Sequence, residues 1–137
     1  VPDLPYEEKN ELLSNCRKYD VDLISLIAPT SDDRIQMIAR EGMGYIYVVS
    51  SLGVTGIRSN ITTDIVAIVK RIREVTDNPV AVGFGIATPE QAEKMAGLSD
   101  GAIVGSAIVK IVEQYGKDAA GPVKKYVEEM VAAVRKA

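Results

Sequence analysis

Three short stretches carry the residues best suited to chemistry. Gly83-Phe84-Gly85 ends one apolar run, Gly105-Ser106 ends the next, and Gly56 lies in the loop after an earlier one. Glycine has no Cβ, so its backbone N–H groups can approach an anion closely. A helix that starts beside such a glycine adds unpaired N–H donors and the positive end of its dipole. The Ser106 hydroxyl supplies one more donor. The chemistry these residues point to is the binding of a phosphate. A glycine pair at a strand end can also simply ease the packing of helix on strand. Recurrence on consecutive units favours the phosphate reading. Neither GxxxxGK[ST] nor GxGxxG occurs, so no nucleotide-binding loop competes.

Acid–base or covalent catalysis finds little support. The chain has no His, which removes every His-based triad, proton shuttle and zinc site. Glu74, Glu93 and Glu128 fall on helical stretches and read as solvated faces. Lys70 and Lys110 are helical too, so no lysine stands at a strand end for a Schiff base. No catalytic residue, metal site or cofactor is assigned within the 137 residues. The expectation is weak phosphate binding without turnover.

The elements that must position these residues alternate with a spacing of roughly 30 residues, the length of a βα unit. A helix is predicted over residues 6–19, with Leu12, Cys16 and Tyr19 on one face. Val21–Ala28 is β-branched, apolar and stopped by Pro29, as a buried strand would be. Thr30-Ser31-Asp32-Asp33 offers N-cap side chains to a helix whose apolar face is Ile35, Ile38 and Ala39. Gly42 is placed to close that helix in the left-handed conformation. Tyr45–Ser51 is the second strand, followed by the long loop Leu52–Asn60. Thr62-Thr63-Asp64 caps a helix that buries Ile65, Ile68, Val69 and Ile72. Val80–Ile86 is the third strand, and Thr88-Pro89-Glu90-Gln91 joins an N1 proline to a capping box. Gly101–Gly105 is the fourth strand, Ser106 opens a short helix to about Tyr115, and Val123, Val127, Met130, Val131 and Val134 pattern the last helix.

One helix followed by four βα units implies an α/β fold with a parallel sheet and right-handed crossovers. An open doubly wound sheet and a barrel segment both fit. The short helix after the fourth strand favours the barrel, where a phosphate site often lies beside such a helix after strands seven and eight. The fold expected is the C-terminal half of a (β/α)8 TIM barrel, with residues 1–137 a single half-barrel segment of a larger domain. An opening of Val1-Pro2-Asp3-Leu4-Pro5 without Met fits a piece of a longer protein.

Composition bounds the partners. A net charge of −3, with 47% hydrophobic and 26% charged residues, describes an ordinary globular chain. It argues against nucleic acid or an anionic membrane as the main partner. No apolar run approaches the roughly 18 residues of a spanning helix. A single Cys16 allows no internal disulfide, which fits a reducing cytoplasm.

Four ordered segments carry a family resemblance. Gly44-Tyr45-Ile46-Tyr47-Val48-Val49-Ser50, followed by Gly53-Val54-Thr55-Gly56, resembles the sixth strand and mobile loop of tryptophan synthase α subunits. Gly83-Phe84-Gly85-Ile86 with Pro89-Glu90-Gln91 resembles their seventh unit, and Gly101–Lys110 their eighth. Asp3, Pro5 and Glu7-Glu8 resemble the loop after their fourth strand. The resemblance implies a lyase of tryptophan biosynthesis that cleaves indole-3-glycerol phosphate to indole and glyceraldehyde 3-phosphate. It implies that Gly56, Gly85, Gly105 and Ser106 hold the substrate phosphate and that Ile27, Tyr47 and Phe84 line the indole pocket. Thr55 would belong to a closing loop, and Asp3 and Pro5 would face the β subunit.

By the same resemblance, the catalytic carboxylates stand on early strands upstream of Val1. A lone half barrel would expose two edge strands and its inward face. The alternative reading is therefore a non-catalytic phosphate-binding or self-assembling half-barrel module, paired with a missing N-terminal half or with itself.

Overall fold

The computed structural model describes residues 4–50, 61–83 and 85–137. Its centre is one parallel sheet of four strands: β1 (Ser25–Ile27), β2 (Ile46–Val49), β3 (Val80–Gly83) and β4 (Gly101–Ile103). The helices are α1 (Asn10–Lys18), α2 (Ile35–Arg40), α3 (Ile61–Arg73), α4 (Pro89–Ala96), α5 (Ser106–Tyr115) and α6 (Ala120–Val134). The strand order is β1-β2-β3-β4, each strand pairing with the next along the chain. A doubly wound sheet reverses its order at a switch point, and this one does not. Sequential parallel strands joined by right-handed crossovers place every connecting helix on the same side, as in a barrel wall.

The register divides the sheet into two faces. Ile27, Val48 and Val82 are matched across β1 to β3, and each is fully buried. They form the core with Ile46, Val80 and the helix residues Ile35, Ile38, Ile65, Ile72 and Met95. Full burial of such a side chain contributes about 1.5–3 kcal/mol. On the opposite face Leu26, Tyr47, Ala81 and Gly101 lie in one row and are only half-buried. This is the inward face, on the side opposite the core that strands and helices bury together.

Several sequence expectations are displaced by packing. The first strand is short, because pairing with β2 begins only at Ser25. Val21 is 55% exposed, just after Asp20 turns the chain with φ of 53°. The α1 face of Leu12, Cys16 and Tyr19 does not form: Leu12 and Tyr19 are exposed, and Leu13 and Cys16 are the half-buried pair. Gly42 does not take the left-handed conformation; Gly44 does, with φ of 62°. A side chain at Gly42 would instead collide with Ile46 Cδ1 and crowd the Ala39 carbonyl oxygen at 3.2 Å.

Residues 29–34 form a 3-10 turn, so α2 starts at Ile35 without a side-chain cap. Ser31 serves the strand end instead, accepting from the Ala28 N–H at 3.1 Å. Helix α3 begins at Ile61, which puts residues 62–64 inside its first turn rather than before it. Strands β3 and β4 end at Gly83 and Ile103, short of Ile86 and Gly105, because their ladder pairing stops there. On α6, Met130 and Ala133 are buried while Val127 and Val131 are exposed, a rotation of the expected face.

Candidate phosphate-binding site

The loop after β3 is built to hold its shape. Thr88 caps α4 by accepting from the Gln91 N–H at 3.3 Å, and the Gln91 side chain reaches back to the Thr88 N–H at 3.2 Å. The same Gln91 oxygen accepts from the Ala87 N–H at 2.8 Å. From α6, the Tyr126 hydroxyl donates to the Ala87 carbonyl at 2.9 Å. Both backbone groups of Ala87 are thereby fixed, and Gly85 two residues earlier adopts φ of 76°. That value lies in the region where only glycine is comfortable.

After β4 the chain turns directly into α5. Gly105 is its N-cap, with φ of −123° and ψ of −72°, and no side chain caps the helix. No acidic residue stands in its first turn, so the positive end of the helix is uncompensated. A Cβ built on Gly105 meets nothing within 4 Å, so the glycine there is not demanded by packing. Ser106 opens the helix and is exposed.

From β2, Tyr47 points onto the inward face and crosses the end of β3. A Cβ at Gly83 would collide with its hydroxyl and lie 2.5 Å from its Cζ. Burial, with a smaller contribution from Tyr45, pushes the Tyr47 phenol above its ordinary pKa. Ser50, fully buried just past β2, donates through both its backbone N–H and its hydroxyl to the Gly83 carbonyl, each at 2.9 Å. This tie between the ends of β2 and β3 was missed in sequence, where Ser50 was only part of a strand motif.

These pieces meet in one cavity of about 400 Å³, lined by Tyr47, Gly85, Ile86, Ala87, Ile103, Gly105, Ser106, Ala107 and Lys110. Of the residues singled out from sequence, it brings together Tyr47, Gly85, Gly105 and Ser106. Ile27 is not among them; it packs in the core beside Val48. Thr55, Gly56, Phe84 and Asp3 lie outside the described residues. Pro5 lines a second, larger cavity of about 490 Å³ between α1, β1 and α2. Within that second cavity Tyr6 and Lys9 both donate to Glu41. The smaller cavity holds the uncapped start of α5, and it is the better candidate.

A family profile described as tryptophan synthase alpha chain matches residues 1–136. The chain belongs to the tryptophan synthase alpha chain family. It is similar to the tryptophan synthase alpha chain of Lacticaseibacillus casei, 46% identical over 134 residues that make up 98% of this chain and 50% of that one. The Lactiplantibacillus plantarum alpha chain is 49% identical over 98% of this chain and 51% of its own length. In structure the chain resembles tryptophan synthase subunit alpha from Campylobacter jejuni, with a TM-score of 0.82 and 35% identity, covering 95% of this chain and 52% of that one. The alpha-family chain of a Pyrococcus furiosus α2β2 tryptophan synthase complex aligns with a TM-score of 0.77 and 34% identity, over 96% of this chain and 54% of its own. The chain thus spans about half the length of the tryptophan synthase alpha chains it matches. The fold is half of their barrel.

Proposed function

We propose that this chain is the substrate-phosphate-binding half of a tryptophan synthase α subunit, one half-barrel segment of a larger barrel domain. The whole protein would cleave indole-3-glycerol phosphate to indole and glyceraldehyde 3-phosphate in the cytoplasm. The observation that carries the reading is the meeting of Gly85, Gly105 and Ser106 with Tyr47 in one cavity at the carboxyl ends of the strands. In barrel enzymes that end is the active face. The α5 N-terminus would receive the phosphate through backbone N–H groups and the Ser106 hydroxyl, with Gly56 closing from the loop after β2. Tyr47 and Phe84 would bound the indole, and Ile27 would support that pocket from behind. Thr55 would belong to the loop that covers the substrate.

The carboxylates for proton transfer would come from the N-terminal half. General acid–base catalysis needs such groups within hydrogen-bond reach of the reacting atoms, and among the described residues no Asp or Glu lines the cavity. Asp3 and Pro5 would face a β subunit, as the α2β2 complex of the Pyrococcus furiosus protein suggests.

Indole release from indole-3-glycerol phosphate, assayed with and without the N-terminal half, tests the reading. Turnover is expected only with both halves present. Turnover by residues 1–137 alone would overturn it. A self-assembling half-barrel module is the second reading, favoured by the edges of β1 and β4, which have no further strand partner among the described residues. A clean monomer in sedimentation would remove it.

A further inference from the structure

We infer that Lys110 is the counter-charge of the phosphate site, the ammonium that meets a phosphomonoester dianion held at the start of α5. The inference rests on the phosphate-site reading above and adds a charged residue to it. Lys110 lines the same cavity as Gly85, Gly105 and Ser106, and among the described residues it is the one charged side chain in that lining. Backbone N–H groups and a hydroxyl orient an anion but carry no net charge. A dianion taken out of water requires a compensating cation or pays in desolvation.

Position favours Lys110 for this role. It stands four residues after Ser106, one helical turn on, along the same face of α5. Side chains on a helix lean toward its N-terminus, so a lysine at this spacing has the reach to meet a ligand at the turn that carries Ser106. The positive end of the dipole disfavours a cation most strongly in the first turn and more weakly at Lys110, the fifth residue of α5. The first turn of α5 offers no carboxylate to offset it. Glu113, three residues further along the helix, is within pairing distance by spacing, yet the two form no ion pair. Lys110 has neither a hydrogen-bond acceptor nor an acidic partner among the described residues. An exposed, unpaired cation beside an uncapped helix start is the arrangement an incoming dianion would complete.

The test uses the isotope-labelled chain and inorganic phosphate at a pH where the dianion dominates. Amide resonances of Gly85, Gly105 and Ser106 report binding, with and without added sodium chloride. For Lys110→Gln, phosphate affinity is expected to fall about tenfold, the scale of one charge-assisted hydrogen bond. Its dependence on salt should become shallower, since one fewer charge is screened. Lys110→Arg should recover most of the affinity. Lys110→Met, which keeps the apolar stem, should behave as the Gln variant and separates charge from packing. If the three amides respond in the wild type and Lys110→Gln binds within about twofold of it, the lysine has no such role while the phosphate site stands. If phosphate moves none of those amides in the wild type, the phosphate-site reading falls, and the role of Lys110 with it.

Discussion

Gly83→Ala is the substitution that most directly probes how the inward face is packed. Gly83 ends β3 and is buried, and the ring of Tyr47 lies across its backbone. A methyl group there would collide with the Tyr47 hydroxyl and sit 2.5 Å from Cζ and 2.9 Å from Cε1. An aromatic ring has few ways to yield, so it must swing away from the sheet. Overpacking of this kind costs about 1–3 kcal/mol. Tyr47→Ala alone removes a half-buried ring, and should cost about 2 kcal/mol, roughly half of what a fully buried aromatic loses. With the ring gone, the alanine at 83 has room, and its stiffer backbone offsets part of the loss by about 0.5 kcal/mol. The two substitutions should therefore couple by about 2 kcal/mol rather than add. Urea denaturation of the four chains measures this, with circular dichroism as the signal because there is no Trp. Ultraviolet titration of the phenol gives an independent check. In Gly83→Ala the displaced ring should lose the burial that raises its pKa and move back toward 10.0. Equal costs for Gly83→Ala in the two backgrounds would refute the packing argument.

Three further outcomes are expected. Asp100→Ala should cost about 1–3 kcal/mol, because the carboxylate accepts from the buried Val80 N–H at 2.7 Å and pairs with Arg73; Asn at the position should keep part of it, and the Val80 amide should exchange faster only in the Ala variant. Hydrogen bonds from Lys9, then Tyr6, hold the exposed Glu41 carboxyl below its ordinary 4.5, so its contribution is present above that pH and is lost as pH falls through the lower folded value. The stability gap between wild type and Glu41→Gln should accordingly close in acid, and a gap that is constant from about pH 6 to about pH 3 would contradict the pairing. Gly44→Ala should destabilise by about 1–2 kcal/mol in thermal or urea unfolding, since φ of 62° strains any L side chain and the new Cβ would lie 2.8 Å from Asp22 Oδ2.

What was legible in the sequence was whatever depends on near neighbours. The capping box at Thr88–Gln91 needs residues three apart, and it forms as read. The apolar stripe Ile65, Ile68, Val69 and Ile72 recurs at the helical period and is buried throughout. Parallel βα alternation follows from short apolar runs between amphipathic stretches, and the sheet order agrees. Illegible features depend on phase rather than period. Alternation along a strand says that neighbours face opposite ways, but not which way faces the helices. The resemblance put Ile27 and Tyr47 in one pocket, and no local pattern could show that the register sends one to the core and the other to the inward face. Helix α1 is similar: the stripe through Leu12 and the stripe through Leu13 share a period, and contact with the rest of the fold selects the second. The Tyr126 bond to Ala87 joins residues 39 apart, and no local pattern announces it. Lys110 was visible as a helical residue, but its place in the cavity required the turn at Gly105.

The sequential strand order bears on how the protein is made. Among the described residues each strand pairs only with the one synthesised just before or just after it, so within this half of the barrel no pairing waits for a distant segment. Loop-closure entropy stays modest at every step, and folding can advance unit by unit as the chain emerges from the ribosome. The phosphate cradle belongs chiefly to the last two units. It would be laid down on a sheet that the earlier units of this chain have already begun.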